Sequence, residues 1–362
     1  LADTVGARPA GWPVAATARV EAFFRAALRF RRPDGSAVFG PEGGADAARW
    51  LRFWAGRLPD PRLGAVVDRW FPGAACRGRD PGIPPLPAFA ARRRPLAMLR
   101  PDWTAGGDLL AIDQRDPAGP CALELAGGGH RWLGPSWTSD RGEDPRSAPR
   151  LLAWSSGAMA DAVEWSFRTA TARIVRTAVL LRGRQLALLA EQVEGGGASA
   201  TLRLAAGPRV GPRVLADLRA LALEAGRGRS ARVLPLGLPA LPDPTGRGSL
   251  ATADGQCVLH QRQEGRRCWL PLLISWRGGR NRRPTVWQAL TVSERSRICP
   301  PDVAVGVRVA WGTGEGLLIY RSLARPALRA VLGHQTGARL LIGALGRTGD
   351  VEPILTLDAE RS

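Results

Sequence analysis

The sequence predicts a mainly β protein, a large antiparallel β-sandwich preceded by a short α-helical segment. Three observations carry that prediction. Apolar residues recur with helical spacing through the first seventy positions, prolines crowd the stretch that follows, and beyond Trp103 the apolar period drops to two. The expected organisation is a helical segment of three helices over 1–72, a Pro-rich connector over 73–104 and the sandwich over 105–362.

In the helical segment, Val20, Phe23, Phe24, Ala27 and Leu28 fall on one stripe at i, i+3, i+4, i+7 and i+8, with Thr17 as the expected N-cap. Ala47, Trp50, Leu51, Trp54 and Leu58 repeat the pattern after Asp46. A third helix opens with Asp60 as N-cap and Pro61 at the first helical position, where a missing N–H does no harm, and presents Leu63, Val66, Val67, Trp70 and Phe71. Pro72-Gly73 is expected to stop it. Between the first two helices, Arg32-Pro33-Asp34-Gly35-Ser36 is a turn sequence, since proline presets φ and glycine tolerates positive φ. Seven prolines from Pro72 to Pro101, with the run Arg92-Arg93-Arg94, disfavour helix and central strand, so this stretch reads as an extended surface connector.

Past Trp103 the strands begin. Val163, Trp165 and Phe167 alternate with Glu164, Ser166 and Arg168, the pattern of a strand with one wet face. Ile174 to Leu181 and Leu186 to Val193 flank Arg182-Gly183-Arg184-Gln185, and both arms are apolar on both faces, so this hairpin should be central and covered on each side. Further expected pieces are Thr201 to Leu204, and Cys257 to Gln261 against Cys268 to Ile274 across Glu264-Gly265. Val303 to Trp311 should pair with Leu317 to Leu323 across Gly312 to Gly316, and Arg339 to Leu345 and Pro353 to Leu357 close the chain. Val214 to Ala225, with its leucines, reads as a short helix. Many strands at short intervals argue for a sandwich over a parallel βαβ sheet.

Composition narrows the function classes. The chain has 362 residues, enough to bury a core without disulfide staples. Its longest apolar runs, such as Pro271 to Ile274, fall far short of the ~20 residues that cross a bilayer, so integral membrane association is not expected. No secretory leader pattern precedes Trp12, which leaves a cytoplasmic or periplasmic location open. Cys76, Cys121, Cys257, Cys268 and Cys299 are scattered without a C-x-x-C pair, the mark of free thiols; no metal site is expected. The net charge of +19 rests on 51 arginines with no lysine. Such uniform replacement suggests a coding bias before it suggests selection for guanidinium chemistry, yet the positive field concentrates anionic partners whatever its origin. Acidic polysaccharide and nucleic acid both fit that field; no recognition helix or RNA-binding motif favours the second.

The strand pair Ala122-Leu123-Glu124-Leu125 and Gly129-His130-Arg131-Trp132-Leu133, and the hairpin from Arg176 to Leu181 and Leu186 to Gly195 with its acidic residue before a glycine turn, resemble the sandwich of heparinase II/III-like polysaccharide lyases. The likeness covers Phe24 to Glu194 in patches. It implies an incomplete α/α toroid ahead of a multi-sheet sandwich, and binding or processing of an acidic polysaccharide. Lyases of that family use a tyrosine and histidines to move protons at a uronate. Here the sequence departs from the pattern: three helices stand where the family has a full toroid, Tyr320 is the one tyrosine, and Asp113-Gln114-Arg115-Asp116 occupies the place of a family histidine.

β-Elimination needs a base and a group that neutralises the uronate carboxylate. Arginine supplies the second in abundance. For the first, the candidate catalytic residues are His130, at a strand start beside Arg131-Trp132, and Tyr320, in an alternating strand where it is equally a packed residue. His260 and His334 have no partner at ligand spacing. No G-x-S-x-G elbow or phosphate-cradling loop is present, and no cofactor is implied.

The candidate ligand-binding residues are Trp276, Arg277, Arg280, Arg282, Arg283 and Trp287, with Trp132 beside His130. Guanidinium forks pair with carboxylate, sulfate or phosphate, and an indole face stacks on a pyranose or a base. The alternative is a solvated loop whose tryptophans anchor in the core. A purely structural or non-catalytic carbohydrate-binding sandwich fits the same residues.

Overall fold

A computed structural model describes residues 13–43, 45–71, 83–116, 119–142, 145–195, 199–215, 218–226, 228–241, 246–263, 265–312, 314–346 and 348–358. The Pro72-Gly73 stop, Cys76, Gly196-Gly197 and Glu264 lie outside the described residues.

Three helices lead, α1 (Val14–Arg29), α2 (Ala45–Ala55) and α3 (Pro61–Trp70). Asp60 caps α3 by accepting from the Arg62 N–H at 3.1 Å, with Pro61 next. α1 starts before the expected cap. Pro13 precedes it and Thr17 sits inside, because the fixed φ and missing N–H of proline already set the helix start. Phe24, Leu28, Leu51, Leu63, Val66 and Trp70 form one cluster with Trp103, whereas Phe23, from the same stripe, is exposed.

The chain then builds β1 (Phe89–Ala90), β2 (Leu96–Leu99), β3 (Leu109–Asp113), β4 (Cys121–Gly127) and β5 (His130–Ser139), which pair antiparallel in that order. β6 (Arg150–Ser156), β7 (Ala160–Arg168), β8 (Ala172–Leu181) and β9 (Leu186–Gly195) start a second sheet, and β10 (Ser199–Ala206) returns to β5. β11 (Val210–Val214), β12 (Leu221–Ala225) and β13 (Arg229–Pro235) extend the second sheet, β14 (Gly248–Ala253) and β15 (Gln256–Arg262) complete the first, and β16 (Arg267–Ser275) fits between β13 and β9. After a one-turn helix, α4 (Gly278–Asn281), come β17 (Thr285–Leu290), β18 (Val292–Glu294), β19 (Arg297–Ile298), β20 (Ala304–Trp311) and β21 (Glu315–Ser322). The last strands are β22 (Arg329–Val331), β23 (His334–Thr336), β24 (Leu340–Leu345) and β25 (Val351–Leu357). The third sheet runs β17-β20-β21-β24-β25, and the small fourth runs β19-β18-β22-β23.

These sheets stack in four layers. Ile174, Ala178 and Leu180 of β8 pack toward the first sheet, and Val179 and Leu181 toward the third. The central hairpin is therefore covered on both faces, as its apolar arms predict. Leu318, Tyr320 and Leu341 fill the next gap with Val292 and Val331 of the fourth sheet. On the outer side of the first sheet, Met98, Leu109 and Ala111 are covered by Val38 of the turn after α1. That turn is locked down by Arg32, whose Nε and Nη2 donate to the Glu124 carboxylate at 2.6 and 2.7 Å. Trp70 and Trp103 add indole bonds to the Trp103 and Pro85 carbonyls at 2.9 and 2.7 Å.

Besides the start of α1, four expectations differ from the observed fold. The stretch read as connector contributes β1 and β2 to the first sheet, with Pro95 left at the start of β2 where the ladder tolerates it. On the face of β7 read as wet, Arg168 is exposed but Ser166 is buried and Glu164 fully enclosed, because the third sheet reaches over it and pairs its carboxylate. Cys257 to Gln261 and Cys268 to Ile274 do not pair: β15 stays with β10 and β14 while β16 crosses to β9 and β13. Among the described residues of Val214 to Ala225 there is no helix; Val214 ends β11 and Leu221–Ala225 forms β12, since β13 offers a ladder that outweighs local helix preference.

Candidate functional site

A cleft of about 540 Å³ opens where the turn after α1 meets the ends of β3, β4 and β5. Gly128 and Gly129, at φ +61° and +81°, make the tight turn that starts β5, and this sets His130 on the cleft wall. Its ring lies 5.2 Å from that of Trp132, tilted by 46°. Arg131 follows, with Nη1 donating to the Gly40 carbonyl at 3.3 Å and Nε 3.8 Å from Glu124. From the loop after β10 comes Arg209, 87% exposed, with a single loose approach of 3.6 Å to Glu42 among the described residues. Asp34 and Glu42 also line the opening, and Arg32 is already neutralised by Glu124.

The floor is a hydrogen-bonded knot around Gly127. Trp132 Nε1 donates to the Gly127 carbonyl at 3.1 Å, and Trp276 Nε1 donates to Asp108 Oδ1 at 2.9 Å. A Cβ on Gly127 would stand 2.4 Å from both Asp108 Oδ1 and Trp276 Nε1, so the two side chains fill the space that glycine leaves. Burial pushes the Asp108 carboxyl up to about 6, against the pull of the indole bond. A half-exposed imidazole and the Arg131 and Arg209 guanidinium groups thus share one opening with Asp34 and Glu42, a set able to hold a ligand that carries anionic groups.

The residues singled out in the sequence divide around this cleft. His130 lines it, and Trp132 and Trp276 brace it from below, both buried. Tyr320 does not reach it: the ring is fully buried under the fourth sheet and its hydroxyl accepts from Arg329 Nη1 at 3.3 Å, the placement of a packed strand residue and not of a base at this cleft. Trp287 is buried between the second and third sheets and donates to the Leu238 carbonyl at 2.7 Å. Neither Trp276 nor Trp287 offers a free face for stacking. Arg280 is buried too, bonded to Glu315 at 2.5 and 3.0 Å and laid over the Trp311 ring at 5.0 Å. Arg277, Arg282 and Arg283 remain on the surface. The loop is therefore an anchored corner built on Arg280, and its tryptophans serve the core.

Arg209, Asp108 and Gly127 were not singled out in the sequence. They come from separate loops and strand ends, and no local pattern links them. The one available signal was the Gly127-Gly128-Gly129 run ahead of a histidine, which marks a tight backbone approach.

No protein-family profile matches the chain, and neither does any curated protein. Solved structures do. Heparan sulfate lyase HepC from Pedobacter heparinus superposes with a TM-score of 0.65 at 12% identity, over 86% of this chain and 54% of the lyase. A mutant of that lyase gives 0.63 at 12% identity over 87% and 55%. A heparinase III gene product with methylated lysines gives 0.62 at 9% identity over 86% and 53%. The chain has a polysaccharide-lyase-like fold and spans about half the length of these proteins.

Proposed function

We propose that the chain binds an acidic polysaccharide in the cleft between the turn after α1 and the first sheet. The observation that carries this reading is the meeting of His130, Arg131 and Arg209 at one opening, in a fold like that of heparan sulfate lyases. Arg209 is the principal anion contact, because its guanidinium is exposed and held by one weak pair, whereas Arg32 is spent on Glu124. The formal charge of +19 draws polyanions to the surface before the cleft selects among them.

A second reading, cleavage by β-elimination, is favoured by one observation: His130, a side chain of suitable chemistry, stands on the cleft wall. In that case His130 takes the C5 proton next to the uronate carboxylate, which Arg209 neutralises, the C4–O bond breaks as the C4–C5 double bond forms, and the leaving oxygen takes its proton from water.

Both readings are tested on one panel of heparin, heparan sulfate, chondroitin sulfate and alginate. Calorimetry at physiological salt should give saturable binding to at least one, weakened about tenfold by Arg209→Ala combined with His130→Ala. Ultraviolet absorbance of unsaturated uronates reports cleavage, and its loss in His130→Ala alone supports elimination. Absence of saturable binding to every polymer overturns the proposal.

A further inference from the structure

A second opening, of about 270 Å³, lies at the end of the interface between the second and third sheets and shares no residue with the cleft. The sequence pattern explains why it is polar. Over most of this interface β8, β9 and β21 present apolar residues, but at one end the inward positions become Arg173, Gln192, Glu194 and Arg321. Cross-strand register then sets Arg173 and Arg267 on either side of Glu194.

Five arginines, Arg173, Arg267, Arg321, Arg325 and Arg339, line this opening, against Glu194 on the wall and Glu164 buried at the base. Both carboxylates already face two guanidinium groups each. Arg267 donates to Glu194 at 2.9 and 3.1 Å with Arg173 at 3.7 Å, while Arg321 and Arg339 both bind Glu164, the latter at 2.7 Å. Burial alone would raise the Glu164 carboxyl, yet the two guanidinium groups outweigh it and hold it below its ordinary value. Positive charge is therefore left over. Arg325 is exposed and its guanidinium has no partner among the described residues. Arg339 Nε is buried and likewise donates to nothing among them. A buried donor without an acceptor is costly and calls for an occupant.

From this geometry we infer that the opening is a binding site for a tetrahedral oxyanion, a sulfate or phosphate group carried by a small molecule or chain end. The exposed Arg325 fork and the unpartnered Arg339 Nε, both at this opening, are donors suited to such an anion, and several waters' worth of space, at ~30 Å³ each in the liquid, admits the group with part of its bearer. The inference does not depend on glycan binding in the cleft.

The test uses the full chain with sodium sulfate, sodium phosphate, glucosamine 6-sulfate and glucose 6-phosphate as probes, and sodium chloride at matched ionic strength as reference. Calorimetry should show one saturable oxyanion site, and the two esters tell a sulfate site from a phosphate site. Arg173→Ala with Arg325→Ala, at a half-buried and an exposed position, should weaken binding about tenfold, while Arg92→Ala with Arg93→Ala should change it less than about twofold. Equal weakening in both pairs, or a thermal shift with chloride as large as with sulfate, would overturn the site.

Discussion

The Trp276 indole and the Asp108 carboxylate, 168 positions apart in the chain, meet at 2.9 Å and tie the end of β16 to the start of β3 beneath the cleft. The bond keeps a carboxyl in a place that disfavours its charge. With its pKa raised from 3.8 to about 6, Asp108 is more easily protonated in the folded chain than in the unfolded one. Its favourable contribution is therefore complete below about pH 4 and is lost as pH rises through about 6. Asp108→Asn keeps an acceptor for the indole and removes the ionisation. The variant should gain on the parent by up to about 3 kcal/mol above pH 6, with no gain near pH 4. Chemical denaturation of both proteins across that range measures the difference.

Gly127 is the point where this knot touches the cleft floor. Gly127→Ala places a methyl against Asp108 Oδ1 and Trp276 Nε1 and should destabilise the fold by about 1–3 kcal/mol. Gly211→Ala, where a methyl meets nothing within 4 Å, should change the unfolding free energy read from urea denaturation by no more than about 0.5 kcal/mol.

Between the first and second sheets, Arg176 donates to Glu191 at 2.6 Å with both side chains buried, and its guanidinium lies 5.3 Å from the rings of Trp137 and Phe167. Removing one partner strands a charge. Glu191→Leu or Arg176→Met alone should cost about 3–5 kcal/mol, and the double replacement should recover most of it, as read from a double-mutant cycle of unfolding free energies.

For Tyr320, a packing role predicts that Tyr320→Phe loses one hydrogen bond from Arg329, about 0.5–1.5 kcal/mol, and leaves glycan affinity unchanged. Thermal unfolding and calorimetry on the same sample separate this from a role in proton transfer, which would abolish any uronate product without a change in stability.

Much of the architecture was legible because it is written in local periodicity. The arms of β8 and β9 are apolar on both faces, and that alone demands cover on two sides. The polar positions of β7 misled for the converse reason. Glu164 looks solvated until Arg321 and Arg339, more than 150 residues later, arrive to pair with it. For Tyr320 alternation left a base and a packed residue equally open, because it assigns the ring to a face of β21 while the strands that bury that face lie elsewhere in the chain. His130 was legible because a glycine turn and a strand start fix its place locally. Its neighbours in the cleft come from segments whose meeting is decided only by tertiary packing.

The double cover of the central hairpin has a consequence for how the molecule comes apart. Since β8 and β9 supply one wall to each of two adjacent cores, neither core can open while leaving this hairpin intact on both sides. Their amides should be the last to take up deuterium, at the free energy of global unfolding, and the first and third sheets should melt in one cooperative unit.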